Sequence, residues 1–239
     1  MPLPIPELSA RYRKLSSPVV YDILDKMGYP NQVLSGDIRP LAPDMVVAGP
    51  AFTVQGGDVV QGESPPAVSV GAALVAAPYQ MFRELYRGCI IVMATGGHSQ
   101  SGPWGENTGL TAKMRGASGI VIDGGTRDAN ELVAIGFPTF CRYMTPVFAE
   151  GRYRMRGYQV PVVVAGHLTP AVTVRPRDFI MGDRDGIVVV PQEMAEEVLL
   201  AAERLEEIEQ KIRQELLAGE DREIVYKRNP KFDHVRKVR

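Results

Sequence analysis

Two stretches constrain this chain more than any others. "GCIIVMATGG" (residues 88–97) and "GASGIVIDGG" (116–125) each carry an apolar run with no polar alternation straight into a glycine pair. Such a run has no wet face, so it reads as a strand buried on both sides, the kind that parallel sheets bury between layers of helices. Each glycine turn is followed by a helical signal. Residues 106–115 form a short helix closed by Gly116, and "ANELVAIG" opens a second one directly after Asp128. Strand, glycine turn and helix, repeated twice, predict an α/β fold whose ligands gather at the carboxyl ends of the strands.

The flanking sequence fits that frame. "SSPVVYDILDKMG" predicts a helix over 16–28, with Ser17 as cap, Pro18 in the first turn, an apolar stripe of Val19, Val20, Ile23, Leu24 and Met27, and Gly28 as its end. "MVVAGPAFTVQGGD" (45–58) predicts two short strands or one bulged strand, and the Ala, Val and Leu content of Ala67 to Tyr86 predicts a core-facing helix. Residues 160–191 change to short β segments with proline and glycine corners, among them "GDRDG", where Asp183 and Asp185 suit a tight turn. Gln192 to Leu217 is a long amphipathic helix capped by Gly219. No repeat or linker divides the 239 residues, so one domain spans 1–239, with an N-terminal arm at 1–15, the C-terminal helix at 192–217 and a basic tail at 220–239, read as a surface arm, a subunit clasp or a solvated tail.

Charge and cysteine content narrow the function. The balance of 27 basic to 28 acidic residues gives a net charge of -1, which offers no global field for nucleic acid or an anionic membrane. No apolar run approaches the ~20 residues of a membrane span, so a cytoplasmic protein is expected. Cys89 and Cys141 sit far apart in apolar surroundings, and His98, His167 and His234 never pair at ligand spacing. A divalent metal would then be held by carboxylate and water, which favours magnesium or manganese.

The turn at Arg127 and Asp128 is unusual. Asp128 stands three residues before Glu131, the spacing of a capping box, and on local grounds it caps the following helix. Capping does not account for a fixed cation beside it, nor for the glycines that admit other groups to the backbone. A second glycine-rich turn, "TGGHSQSGPWGENTGL", surrounds Trp104, the sole tryptophan, and the two turns together could form an anion pocket with a metal carboxylate on its rim.

The span "WGENTGLTAKMRGASGIVIDGGTRDANEL", with "GDRDGIVVVP" downstream and "IRPLAPDMVVAGPAFTV" upstream, resembles the RraA-like family. The family includes class II aldolases of 4-hydroxy-4-methyl-2-oxoglutarate that also decarboxylate oxaloacetate. The pairing of D-G-x-x-R-D after a buried strand with W-G-E some twenty residues earlier carries the resemblance. It implies a compact α/β/α-like domain with a β-rich layer like the phosphohistidine swivelling domain, assembled as a trimer or a dimer of trimers with active sites at subunit interfaces. It also implies metal-dependent carbon–carbon cleavage of a small 2-oxo acid. By position, Asp128 matches the one protein ligand of Mg²⁺, Mn²⁺ or another divalent ion, and Arg127 the clamp on the pyruvyl part of the substrate. Gly105, Glu106, Asn107 and Thr108 match the turn whose amides bind the substrate carboxylate. Glu209 of a neighbouring subunit, with Glu206 as the alternative, matches a carboxylate that orients water on the metal; a solvated helix face is the other reading of both. Glu106 or Glu209 could orient such a water as base, and Lys113 reads as a solvated helix residue. The sequence departs from many relatives at "VMATGG" and at Asn107, Thr108 and Gly109, beside the expected cleft. His98 fits a substrate contact or a local turn contact. The family also contains non-catalytic members that bind and inhibit a ribonuclease, and that is the alternative function.

Overall fold

The structure is a computed structural model that describes residues 3–60, 68–70, 73–75 and 80–238. In chain order its helices and strands are α1 (Ile5–Tyr12), α2 (Ser17–Met27), β1 (Arg39–Pro40), β2 (Val47–Asp58), β3 (Val68–Val70), β4 (Ala73–Val75), α3 (Gln80–Glu84), β5 (Ile90–Ala94), α4 (Glu106–Met114), β6 (Gly119–Asp123) and β7 (Gly125–Thr126). There follow α5 (Ala129–Ala134), β8 (Thr139–Cys141), β9 (Tyr143–Met144), β10 (Tyr153–Tyr158), β11 (Val162–Ala165), β12 (Ala171–Val174), β13 (Phe179–Gly182), β14 (Ile187–Val190), α6 (Ala195–Leu217) and α7 (Arg222–Arg228).

The heart of the fold is a parallel run, β2, β5, β6 and β8, and β5 and β6 are buried along nearly their whole length as the apolar runs require. Of the two readings of residues 45–58, the single strand forms, as β2, and the register irregularity lies on its partner β10, between Met155 and Gly157. The first residues of β2 pair with β13 and its last with β10, both antiparallel, so the sheet curls around it. Val47, Ala51, Val92 and Val121 meet Val162, Val164, Ile180 and Val189 inside the curl. On the outer face α3, α4 and α5 close over Phe52, Ile91, Ile120 and Ile122, while α1, α2 and α6 close a third apolar cluster against β13 and β14.

The α2 stripe forms as predicted: Val19, Val20, Ile23, Leu24 and Met27 are all buried, each contributing roughly 1.5–3 kcal/mol relative to exposure. Gly28 ends the helix at φ 97°. Its start differs from expectation. Ser16 occupies the cap position without a side-chain bond, and the Ser17 amide and hydroxyl donate instead to Asp183, at 2.7 and 2.6 Å. Asp183 also accepts from the Asp185 amide at 2.9 Å, so "GDRDG" is a turn that holds the helix start from 166 residues away.

Two further expectations change. The Ala67 to Tyr86 region carries strands β3 and β4 and the five-residue α3 where a single helix was expected; the rest of that stretch lies outside the described residues. Apolar content alone does not separate helix from strand, and pairing with β10 decides for strand here. The basic tail folds back on its own chain: Phe232 and Val235 pack against the α2/α6 cluster, and the Val238 amide donates to the Met27 carbonyl at 3.0 Å. The first residues carry α1, whose Leu8 and Tyr12 are buried. After a 3₁₀ turn at Gln192–Met194, α6 buries Val198, Ala202, Leu205 and Ile212. No helix among the described residues is long and apolar enough to cross a membrane.

Candidate active site

Because β5 and β6 are parallel neighbours with Ala94 opposite Asp123, the turns that leave them emerge side by side. The first runs from Thr95 to the start of α4, the second from Gly124 to the start of α5. Backbone and side chain bind them together. The Trp104 carbonyl accepts from the Arg127 amide and from the Thr126 hydroxyl, both at 2.9 Å.

At this junction Asp128 adopts φ 55° and ψ 43°, a left-handed conformation uncommon for any residue but glycine and tolerated best by Asn and Asp. The conformation turns its carboxylate away from the helix it precedes. The expected capping of α5 by the Asp128 side chain is absent, and its Oδ2 accepts instead from the Glu106 amide of α4 at 3.1 Å. Arg127 Nε donates to the same carboxylate, at 3.2 and 3.4 Å. The side chains of Arg127 and Asp128 are both 33% exposed, so the pair is braced from behind and open in front. Strain of this kind, roughly 1–3 kcal/mol, persists where the surroundings enforce it, and such places cluster at functional sites.

The start of α4 completes the site. Gly105 caps it in extended conformation, and a Cβ there would lie 2.4 Å from Asp128 Oδ2 and 3.1 Å from Arg127 Cγ, so any larger residue would displace the carboxylate from its present position. Glu106, Asn107 and Thr108 are the first three helical residues, whose amides have no intrahelical acceptor. Asp128 takes the first. No acceptor among the described residues takes the amides of Asn107 and Thr108, which with the helix dipole form an anion-binding corner. Gly109 has a packing reason: a Cβ there would lie 2.5 Å from Leu132 Cδ2, so the glycine lets α4 seat on α5.

The structure therefore brings Arg127, Asp128, Gly105, Glu106, Asn107 and Thr108 to one place. It does not bring Glu209 or Glu206 there within one chain. Glu209 pairs with Lys231 at 2.5 Å and Arg213 at 3.5 Å, and Glu206 with Arg213 at 2.6 Å. His98 takes the local reading: it is buried, with Nδ1 against Asp58 and Nε2 2.6 Å from the Ser101 hydroxyl, and it fastens the first turn. Lys113 donates to the Ile135 carbonyl at 2.5 Å, tying α4 to the end of α5. Asp123, the first residue of the motif, pairs with Arg142 and accepts from the Ala165 amide at 3.1 Å, which makes it a brace behind the turn.

Sequence reasoning missed Phe148. Arg127 Cζ lies over its ring, 5.2 Å from the centroid, and nothing in a lone phenylalanine distant from the motif signals this. Thr126 lay inside the motif, but its hydroxyl contact to Trp104 depends on the two turns meeting.

The donor set limits which metal could sit here. Among the described residues no three His, Cys, Asp or Glu side chains converge, which rules out a protein-built cage among them. A partly exposed carboxylate at Asp128, with the Glu106 carboxylate next to its amide partner, fits a hard divalent ion that keeps most of its coordination for water and ligand oxygens.

The Aldolase/RraA family model matches residues 17–189, which contain every element of this junction. The chain belongs to the RraA-like family. Among RraA-like relatives it is 32% identical to a Halalkalibacterium halodurans protein named "Putative 4-hydroxy-4-methyl-2-oxoglutarate aldolase", over 81% of each chain. Two solved RraA-like folds superpose closely. An uncharacterized protein from Pseudomonas syringae pv. tomato is 27% identical with a TM-score of 0.79, covering 95% of this chain and 96% of that one. RraAS2 of Streptomyces coelicolor, described as an unusual member of the RNase ES inhibitor RraA protein family, is 27% identical with a TM-score of 0.73, covering 89% and 98%. The curled sheet with its long C-terminal helix is thus the RraA fold.

Proposed function

We propose that the chain is a divalent-metal-dependent carbon–carbon lyase that releases pyruvate from a 4-hydroxy-2-oxo acid, from oxaloacetate, or from both. The observation that carries this is the Asp128 carboxylate, held between Arg127 and the Glu106 amide at the amino end of α4. A protein-binding surface has no need of a left-handed aspartate whose carboxylate lies where a Cβ of the neighbouring Gly105 would be.

Asp128 would hold the ion, and a divalent metal there supplies Lewis-acid polarisation of the 2-oxo group. The chain's own residues do the rest. The Asn107 and Thr108 amides bind the substrate's 1-carboxylate, using donors that cost no reorganisation. Arg127 keeps its terminal nitrogens for the pyruvyl oxygens. Its Nε bond to Asp128 and its place over the Phe148 ring hold the guanidinium at the site, and its charge cannot be lost to a base. In retro-aldol cleavage the 4-hydroxyl gives up its proton, the C3–C4 pair passes to the pyruvyl fragment as an enolate, and C3 then takes a proton. In oxaloacetate, loss of CO₂ delivers the same electron pair. Negative charge therefore develops beside Arg127 in both reactions. Glu106, half-buried at the helix start, is placed to orient the water that accepts the hydroxyl proton. A neighbouring copy in a trimer or hexamer would add Glu209 to this set.

Purified protein is to be incubated with oxaloacetate and with 4-hydroxy-4-methyl-2-oxoglutarate under Mg²⁺ and then under chelator, with pyruvate followed by a coupled dehydrogenase. Metal-dependent release supports the lyase. Silence on every substrate, joined to inhibition of a ribonuclease, would replace it with the regulatory function suggested by the likeness to RraAS2.

A further inference from the structure

A cleft of about 710 Å³ opens beside the proposed site, walled by Phe82, Met93, Trp104, Phe148, Tyr153 and Met155. Two residues join it to the site. Thr108, whose amide is one of the free donors at the start of α4, lines the cleft, and Phe148 faces both the cleft and the Arg127 guanidinium. A 2-oxo acid anchored at Arg127 and the α4 amides has its distal end at this opening.

The geometry points to a substrate whose distal group is aromatic or bulky and apolar, in place of the second carboxylate of a 2-oxo dicarboxylate. This rests on the lyase reading for the orientation of the ligand. The wall presents Phe82, 6.3 Å from the sole tryptophan between ring centroids, and Phe148, together with two methionines that mould to an irregular group. A carboxylate placed among these rings and methionines would lose its hydration against apolar walls. The charged residues that also line the cleft are Glu150 and Arg154, one of each sign. Such a 4-hydroxy-4-aryl-2-oxo acid would be cleaved as above: C3–C4 breaks, the 4-hydroxyl proton is lost and another is gained at C3, and the products are pyruvate and an aromatic aldehyde.

Calorimetric titration in Mg²⁺ with pyruvate, phenylpyruvate and 2-oxoglutarate separates the two ideas. Phenylpyruvate is expected to bind about tenfold or more tightly than 2-oxoglutarate, the scale on which a shaped apolar pocket discriminates. Phe82→Ala and Met155→Ala, outside the catalytic set, should each weaken phenylpyruvate and leave pyruvate unchanged, with melting curves confirming that they fold. Phenylpyruvate binding no tighter than 2-oxoglutarate, or indifferent to both variants, overturns the inference while leaving the lyase intact. The predicted binding order without pyruvate release from 4-hydroxy-4-phenyl-2-oxobutanoate, 4-hydroxy-4-methyl-2-oxoglutarate or oxaloacetate overturns the lyase and keeps the cleft assignment. Binding by none of the three 2-oxo acids removes both.

Discussion

Gly105→Ala is the most informative single change in the chain. The added Cβ would stand 2.4 Å from Asp128 Oδ2. That is roughly 1 Å inside ordinary van der Waals contact, so either the carboxylate or the start of α4 must move by about that much. Moving the carboxylate breaks its bond from the Glu106 amide, and a hydrogen bond to a charged group contributes about 1.5–3 kcal/mol. The pair is one-third exposed and solvent replaces part of the loss, so a stability change of about 1–2 kcal/mol is expected. The effect on chemistry is larger, because a displacement of about 1 Å in a positioning group costs on the order of 10²-fold in rate. Thermal melts and kcat/KM for pyruvate release read the two effects separately. A cycle with Asp128→Ala sharpens the assignment: with the carboxylate gone, most of the stability cost of Gly105→Ala should vanish, leaving only the 3.1 Å approach to Arg127 Cγ. An unchanged kcat/KM in Gly105→Ala, or additive costs across the cycle, would refute the claim that this glycine exists to admit Asp128.

Further outcomes follow from the same contacts. Asp183→Ala removes the anchor of Ser17 and of the Asp185 amide, and should lower Tm by several degrees in a melt, at ~2–4 °C per kcal/mol for a chain of this size, without changing KM. Burial pushes the Cys89 and Cys141 thiols from 9.0 up to about 11. The folded state therefore favours the neutral thiol, and the stability this adds is full below the unfolded value and lost as pH rises from about 9 toward 11. Denaturation midpoints measured across that window should fall, and iodoacetamide at pH 8 should label neither thiol until the chain unfolds. Glu209→Gln weakens a mostly buried pair with Lys231, whose side chains are 23% and 24% exposed, and a looser one with Arg213, so Tm should fall, at ~2–4 °C per kcal/mol lost; a clear drop in kcat well below that Tm would place Glu209 in a neighbour's site, and an unchanged kcat would leave it outside any site.

Much of this was legible from local pattern. The two unalternating apolar runs at Ile90–Ala94 and Gly119–Asp123 announced buried parallel strands, and the glycine turns after them announced where ligands would gather. The stripe and terminal glycine of α2 fixed that helix to within a residue. What escaped depends on distant partners. The Asp183–Ser17 anchor spans 166 residues, and the Phe148 ring reaches Arg127 only once β9 and the loop after it are in place. Asp128 illustrates the limit most clearly. Its spacing to Glu131 is that of a cap, yet the left-handed backbone directs the carboxylate to a different helix, 22 residues earlier in the chain. The stretch around Val68–Val75 shows a second limit, since Ala, Val and Leu serve either helix or strand until a neighbouring strand is available to pair.

The central claim is that Asp128 holds a divalent ion beside a clamp for 2-oxo acids. Its most direct test is equilibrium Mn²⁺ binding in the presence of oxalate, an analogue of the pyruvate enolate, with free Mn²⁺ read by electron paramagnetic resonance. One ion per chain is predicted for the parent protein, with binding abolished in Asp128→Asn and weakened in Arg127→Lys. Equal Mn²⁺ binding by the parent and Asp128→Asn, or no Mn²⁺ binding by either, would contradict it.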